Sequence, residues 1–238
     1  MHLLAATPGG ISDGSEAIDL GQSPGDIVVL SAADTDLMVL SAARESLASA
    51  HPGFPSLRLA SLLHLGHNMS VDLYADAVLR HAKLIVVRLL GGRGYWPYGV
   101  DETLGAARAC GARVVFVPGD DQADAELVGL STTGAEAHHR LWQYLALGGP
   151  ANAEQFLRYA ATLIGYEADW REPEPLLNAG FYWPGAGPTD RNTLASHWQA
   201  GRAGVAVVFY RALVQAGNLD AVDALVGALD TGGLNVLP

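Results

Sequence analysis

Short apolar runs alternate with longer amphipathic stretches through the first half of the chain. The runs are rich in β-branched residues and predict strands, and two of them, residues 84–90 and 113–118, are apolar except for one arginine each. Strands that are buried on both faces have this pattern. Strand, helix and strand in repetition predict a parallel sheet with helices on both faces. The predicted strands are Leu3–Thr7, Asp26–Ser31, Leu57–Ala60, Leu84–Leu90 and Arg113–Pro118.

Capping residues mark the ends of two predicted helices in this region. Ser70 is predicted to cap a helix that carries Asp76 and Arg80 four residues apart, and Asp101 to cap a helix that ends at Gly111. The expected fold class is α/β, with a doubly wound, mostly parallel, flavodoxin-like sheet over residues 1–125.

Helical patterns replace the strands after residue 121. Ala135–Leu147 and Ala153–Tyr166 predict a helical extension over residues 126–170, and prolines, glycines and aromatics predict an ordered linker over residues 171–203. An apolar strand at Gly204–Tyr210, a helix at Asp220–Leu229 and a further strand predict the start of a second α/β domain over residues 204–238. Because one such unit cannot cover its own sheet, we expect the natural polypeptide to continue.

Composition excludes several classes of protein. The net charge of -11 argues against nucleic acid and anionic membranes as partners. Cys110 is the single cysteine, which excludes an intramolecular disulfide and a cysteine-based zinc site. The first residues lack a basic leader, and no apolar stretch approaches the roughly 18 residues of a membrane span. We expect a cytoplasmic protein.

The segments that follow the predicted strands carry the candidate chemistry, because ligands of doubly wound sheets bind beyond the carboxyl ends of the strands. Glycines there permit a ligand to approach the backbone closely. The five segments are Pro8–Gly10, Ala32–Asp34, His64–Asn68, Gly91–Gly99 and Gly119–Asp121.

The Gly91–Gly99 segment is the most distinctive of the five. Tyr95, Trp96 and Tyr98 offer flat faces, and Arg93 offers a fork for a carboxylate. This set suits a flat macrocycle that carries carboxylates. The alternative is that the aromatic rings pack the loop onto its own domain while the glycines turn the chain.

Acidic and histidine side chains give weaker signals. Asp120 and Asp121 can orient arginines or act as bases, although a turn after a strand favours aspartate in any case. His64 and His67 are three residues apart and could approach one metal ion if locally helical. His138 and His139 are adjacent, point about 100 degrees apart on a helix and are expected at the surface.

Several nucleotide and hydrolase motifs are missing from the sequence. A P-loop needs Gly-Lys-Ser/Thr, and the only lysine is Lys83. The dinucleotide fingerprint fails because Gly92-Arg93-Gly94 is followed by Tyr-Trp-Pro, and there is no Gly-x-Ser-x-Gly elbow. Nucleotide hydrolysis and hydride transfer are therefore not encoded in a recognisable form.

At these residues the sequence resembles the large subunits of cobaltochelatases (CobN-type), which are related to the magnesium chelatase H subunits. The matching segments keep the order of the family and extend over nearly the whole chain, and the glycine-rich aromatic segment is the most specific of them. They are Ser31–Thr35, Met69–Tyr74, Val87–Gly99, Pro118–Asp121, Ala179–Tyr182 and Phe209–Ala212.

The resemblance implies an enzyme subunit, a ligase that forms nitrogen–metal bonds. The family inserts cobalt(II), its substrate metal, into the corrin hydrogenobyrinic acid a,c-diamide in aerobic cobalamin biosynthesis. It works with two partner subunits of the magnesium chelatase type, one of which is an ATPase, so ATP is not bound by this chain. The family's subunit is several times longer, which implies an N-terminal portion that is inactive alone. The residues expected to touch the corrin are Arg88, Arg93, Tyr95, Trp96, Tyr98, Asp120 and Asp121.

Two other functions remain open from the sequence. The first is a magnesium chelatase large subunit that acts on protoporphyrin. The second is a non-catalytic α/β module that binds a partner or a small ligand.

Overall fold

The computed structural model describes residues 6–7, 10–11 and 16–238, and the chain forms two compact units, Met1–Glu174 and Pro175–Pro238. The strands of the first unit are β1 (Ala6–Thr7), β2 (Gly10–Ile11), β3 (Ile27–Ser31), β4 (Leu57–Ser61), β5 (Leu84–Leu89) and β6 (Arg113–Pro118). Its helices are α1 (Asp34–Ala50), α2 (Asn68–Ala77), α3 (Pro97–Cys110), α4 (Ala125–Leu130), α5 (Ala135–Leu147) and α6 (Pro150–Leu163), with 3₁₀ turns at Leu62–Leu65, Leu79–His81 and Arg93–Tyr95.

The centre of the first unit is a four-stranded, wholly parallel sheet in the order β4-β3-β5-β6. After β3, the chain adds β4 on one side of it, and then β5 and β6 on the other side. This is the beginning of the flavodoxin-like strand order. Buried residues fill both faces of this sheet, so the four apolar strands predicted from Asp26 onward are confirmed within one residue at each end.

The predicted first strand does not belong to this sheet in the residues that the structure describes. Ala6–Thr7 instead pairs antiparallel with Gly10–Ile11. Leu3–Ala5 and the Pro8–Gly9 dipeptide of the first predicted loop lie outside the described residues.

Two predicted caps are wrong, although the helices themselves are confirmed. Helix α2 begins earlier than predicted, because the ring Nδ1 of His67 accepts the amide N–H of Met69, while Ser70 lies inside the helix and accepts the amide of Ile18. Helix α3 begins at Pro97, whose fixed φ suits a first helical position, and not after Asp101. It ends at Gly111 in the left-handed region, as predicted.

The outer edge of β6 is covered by side chains from the segment that leads into α5. Thr132 and Val114 exchange hydrogen bonds, and the hydroxyl of Ser131 accepts the amide of Phe116 at 2.9 Å. Nε2 of His138 donates to the Phe116 carbonyl at 2.7 Å, so the expectation of a surface position for His138 is wrong. These contacts occupy backbone groups that a fifth strand would otherwise pair with.

Helices α5 and α6 pack on the same core as the sheet, and they bind the segment that follows them. The side-chain amide of Asn152 exchanges two hydrogen bonds with the backbone of Glu174, and the guanidinium of Arg140 binds both carboxylate oxygens of Glu172. The contact boundary between the units therefore falls after Glu174. The sequence pattern predicts a helical extension over residues 126–170 and a linker over residues 171–203.

The second unit contains a hairpin and a strand–helix–strand arrangement. The hairpin occupies part of the predicted linker, and a parallel strand pair confirms the expected start of a second α/β arrangement. Its elements are β7 (Phe181–Trp183), β8 (Gly187–Thr189), α7 (Arg191–Ser196), β9 (Gly204–Ala206), α8 (Arg211–Ala216), α9 (Asp220–Thr231) and β10 (Asn235–Leu237). Among the helices described here, none combines the length and hydrophobicity that a bilayer crossing requires.

Candidate functional site

The carboxyl edge of the first sheet gathers three of the predicted loops. The loop after β5 is held against the turn after β4, because the indole Nε1 of Trp96 donates to the carbonyl of Leu65 at 2.8 Å. It also lies against the turn after β6, because a Cβ at Gly119 would be only 2.7 Å from the Cα of Leu90. Loops that are separate in sequence therefore lie together at one edge, as predicted for a ligand site of this fold class.

Trp96 belongs to the core of the first unit. Its side chain is 6% exposed, and a Cβ at Gly99 would clash with its indole ring at 1.9 Å. The glycine is therefore required for helix α3 to pack on the ring. Trp96 does not present an open face in this structure, and this agrees with the alternative in which aromatics pack the loop.

Tyr98 ties the beginning of α3 to α2. Its hydroxyl donates to the carboxylate of Asp72 at 2.6 Å, and this hydrogen bond raises the pKa of Tyr98 to about 12. The phenol therefore remains protonated in the physiological range and acts as a fixed donor. Together with Trp96, it anchors the loop at two points.

Tyr95 and Arg93 occupy the exposed part of the loop, on a 3₁₀ turn between Gly92 and Trp96. The Arg93 side chain is 41% exposed, with Nη2 at 2.8 Å from Asp101 and Nη1 at 3.9 Å from Glu126. Such exposed ion pairs contribute only about 0–1 kcal/mol each. The guanidinium can therefore exchange its partners at small cost.

Arg88 is held much more firmly, in the crevice where the strand order reverses between β3 and β5. Its Nη1 lies 2.6 Å from Asp36, both side chains are nearly buried, and Asp36 also accepts the hydroxyl of Ser31 at 2.7 Å. The same guanidinium donates to the carbonyls of Pro118 and Gly119. Arg88 thus fastens the end of β6 to β3 and α1.

Asp120 and Asp121 lie on an exposed turn after β6. The carboxylate of Asp120 accepts the amide of Gln122, and its carbonyl accepts the indole N–H of Trp142 at 2.9 Å. Asp121 accepts the side-chain amide of Gln122. Neither aspartate is paired with Arg88 or Arg93 among the hydrogen bonds and ion pairs of the described residues.

The two histidines proposed for metal binding lie at either end of a turn. His64 is on the 3₁₀ turn after β4, and His67 uses Nδ1 to cap α2. Within the described residues, no group of three or more His, Cys, Asp or Glu side chains is arranged to hold a metal ion.

Sequence reasoning did not identify the partners that fix this edge. Asp36 and Asp72 are the residues that bind Arg88 and Tyr98, and Asp124 lies 2.9 Å from the position of a Cβ at Gly92. Asp36 could have been found from its position in the sequence, because it lies on the same face of α1 as the buried Val39 and Leu40. A charged residue on a buried face indicates a buried ion pair. The other two gave no distinguishing signal.

The chain is similar to a known family over much of its length. The family model described as CobN/Magnesium Chelatase matches residues 142–238. All of the chain matches the aerobic cobaltochelatase subunit CobN of a Sinorhizobium species at 46% identity and that of Pseudomonas aeruginosa at 41%. The chain spans only 19% of the length of each of these relatives.

A solved structure supports the same relationship. It is the catalytic subunit of cobaltochelatase from Mycobacterium tuberculosis, with a TM-score of 0.66 and 28% sequence identity. The match covers 90% of this chain and 16% of that one. The resemblance from the sequence segments is therefore confirmed by comparisons of both sequence and fold.

Proposed function

We propose that this chain belongs to the CobN/magnesium chelatase family as a CobN-type sequence, and the similarity to that family supports this. In this proposal the chain is part of the large subunit of an ATP-dependent cobaltochelatase, a ligase that forms nitrogen–metal bonds. The subunit inserts cobalt(II), as substrate, into hydrogenobyrinic acid a,c-diamide. This portion contributes to holding the corrin, while the residues that insert the metal belong to other parts of the subunit.

The observation that carries the proposal is the construction of the Gly91–Gly99 loop. Hydrogen bonds from Trp96 and Tyr98 anchor the loop, while Tyr95 and Arg93 are exposed on the short 3₁₀ turn that precedes Trp96. An exposed aromatic ring and an exposed guanidinium on an anchored loop suit a planar ligand with carboxylate substituents. Preorganisation of the loop reduces the entropy that binding would otherwise lose.

The energetics separate the two arginines of the predicted site. Arg93 can leave Asp101 and Glu126 for a substrate carboxylate, because exposed ion pairs contribute about 0–1 kcal/mol. Removing Arg88 from Asp36 would leave a nearly buried carboxylate unpaired, at a cost of about 3–5 kcal/mol. We therefore assign corrin contact to Arg93 and Tyr95, and support of the site to Arg88, Trp96 and Tyr98.

Asp120 and Asp121 keep a proposed role at the rim of the same edge, where they can accept hydrogen bonds from the amide groups of the a,c-diamide. His64 and His67 keep a proposed role as transient ligands of the incoming cobalt(II). Since only two imidazoles are near in sequence, this site would be weak and would need further ligands.

The partners follow from the same premise. Insertion requires energy coupling, and the chain has no P-loop, so ATP hydrolysis is assigned to one of two partner subunits of the magnesium chelatase type. Hydrolysis there would act on this subunit by favouring one of its conformations. A cytoplasmic location belongs to this proposal.

The test uses a hybrid subunit, defined as Pseudomonas aeruginosa CobN in which this chain replaces the 19% that it matches. Absorbance titration with hydrogenobyrinic acid a,c-diamide is expected to show about ten-fold weaker binding for Arg93→Ala, which corresponds to about 1.4 kcal/mol for a lost charge-assisted contact.

Arg80→Ala is the matched control. Arg80 is also an exposed arginine with one aspartate partner, but it precedes β5 and so lies at the opposite edge of the sheet. Its affinity should be unchanged. Equal affinity for the Arg93 variant and the unsubstituted hybrid would contradict the proposal, and tighter binding of protoporphyrin than of the corrin would favour the magnesium branch of the family.

A further inference from the structure

Strand β9 and the residues 207–210 that continue it are apolar on both faces, and only one of these faces is covered within the second unit. Val205, Val207 and Phe209 pack toward the buried Val222 and Val226 of α9. The alternate residues point the other way, and Val208 and Tyr210 are 93% and 74% exposed. Parallel strands normally have both faces covered, so this exposure is unusual for an apolar strand.

The two outer edges of the strand pair are also different. The edge of β10 is occupied, because the indole of Trp198 donates to the carbonyl of Val236 and the amide of Tyr182 donates to that of Pro238. On β9, the amide of Val207 donates to Leu237, which directs the neighbouring amides of Ala206 and Val208 to the opposite side. Among the described residues, these two amides have no hydrogen-bond partner.

A cavity of about 350 Å³ adjoins this edge, and its walls are predominantly apolar. Leu177, Phe181 and Phe209 contribute to the walls, and Leu177 is itself largely exposed. The guanidinium of Arg211 donates to the carbonyls of Leu176 and Leu177 and so holds one wall in position. A cavity of this size accepts one or two large apolar side chains.

We propose that β9 is a docking edge for an extended segment supplied by the part of a CobN-type subunit that this chain does not span. The inference rests on one part of the proposed function, namely that this chain is a portion of a CobN-type subunit. The segment adds a strand beside β9, bonds the amides of Ala206 and Val208, covers Val208 and Tyr210, and inserts an apolar side chain into the cavity.

Two arguments favour this occupant over others. The CobN relatives are about five times as long as the chain, so a segment of the same polypeptide is available at high effective concentration. A two-stranded pair is also only marginally stable by itself, and here a helix covers one of its faces and leaves the other open. The exposed groups match a strand, because they combine unpaired backbone donors with alternating apolar side chains.

The experiment compares this chain with the hybrid subunit, in both of which Cys110 is replaced by serine. A cysteine introduced by Val208→Cys should react quickly with a maleimide in the chain alone and at least ten-fold more slowly in the hybrid. Ala50→Cys, an exposed position at the end of α1, is the control and should react at one rate in both proteins.

Amide exchange separates strand addition from simple coverage. The amides of Ala206 and Val208 should exchange at least ten-fold more slowly in the hybrid, while the amide of Val207, bonded to Leu237, is protected in both proteins. If the hybrid shows slow labelling of Val208→Cys but fast exchange of the Ala206 and Val208 amides, the edge is covered without an added strand, and the proposal is wrong.

Other outcomes contradict the choice of occupant. Equal labelling of Val208→Cys in both proteins, with the Ala50→Cys control equal, would show that no subunit segment covers β9. Concentration-dependent dimers of the chain alone that Val208→Asp abolishes would assign the edge to a second copy.

A second hybrid, built on Sinorhizobium CobN, repeats the test if the first does not fold. Neither readout uses the corrin, so failure here leaves the proposed function untouched, and failure of corrin binding leaves this inference untouched.

Discussion

The outer edges of β6 and β9 differ although the two strands have similar sequences. Arg113–Pro118 is apolar after its first residue, Gly204–Tyr210 is apolar throughout, and the sequence predicts a strand for each. The edge of β6 is closed by Ser131 and Thr132, which follow α4, and by His138 of α5. The edge of β9 has no such segment among the described residues. An apolar run therefore predicts that a strand needs coverage, but it does not identify the source of that coverage.

The largest effect is expected where the end of β6 is fastened. Arg88→Ala leaves the nearly buried Asp36 unpaired and frees the carbonyls of Pro118 and Gly119, so it should lower the free energy of unfolding by about 3–5 kcal/mol. Urea titration followed by tryptophan fluorescence measures this. Arg93→Ala is the matched control and should change the value by less than about 1 kcal/mol. Similar losses for both variants would remove the distinction between the two arginines.

Opening the edge of β6 should have the next largest effect. His138→Ala leaves the Phe116 carbonyl without its buried donor and creates a small cavity, and should cost about 2–3 kcal/mol in urea unfolding. His139→Ala removes the adjacent exposed ring and should cost no more than about 0.5 kcal/mol. A His138 loss below that of His139 would mean that the edge is closed by other contacts.

The same histidine predicts a dependence of stability on pH. Burial lowers the pKa of His138 below its ordinary value of 6.5. The folded chain therefore resists protonation, so its stability is complete above about pH 6.5 and decreases as the pH falls below it, because the unfolded chain binds the proton more readily. Unfolding free energies at pH 7.5 and 5.5 should differ more for the unsubstituted chain than for His138→Gln, which keeps a donor but does not titrate. Parallel pH profiles would exclude His138 as the titrating group.

The smallest effect is expected at the open edge. Val208→Thr should change the unfolding free energy of this chain by less than about 0.5 kcal/mol, because the side chain is already in water. Val226→Ala, in the core of the same unit, should cost about 2 kcal/mol. A large loss at Val208 would show that its face is covered within this chain.

Most of the fold could be predicted from the sequence, because hydrophobic periodicity determines which elements form. The strands at Arg113–Pro118 and the helix at Ala135–Leu147 have the predicted bounds. The true cap of α2 could not be found in the same way, because His67 and Ser70 can both accept a backbone amide. Only the folded chain shows that His67 accepts the amide of Met69 in the first turn, while Ser70 accepts that of Ile18. The packing of α5 on the sheet could not be predicted either. An amphipathic pattern shows that one face of a helix is buried, but not which surface that face packs against.

The site was predictable in position but not in the roles of its residues. Loops after parallel strands lie at one edge by topology, so Gly91–Gly99 could be located from the sequence. Whether an aromatic ring in that loop is buried depends on contacts distant in sequence, such as Leu65 for Trp96 and Asp72 for Tyr98. Trp96 and Tyr95 are adjacent aromatic residues, and only these contacts explain why Trp96 is buried while Tyr95 is exposed.

Hydroxyl-radical footprinting of the hybrid subunit, with and without hydrogenobyrinic acid a,c-diamide, tests whether the Gly91–Gly99 loop contacts the corrin. We expect the corrin to reduce modification of Tyr95 several-fold, while Trp96, already buried, is little modified in either state. Modification of Tyr95 that is unchanged at saturating corrin would contradict the assignment of this loop to corrin binding.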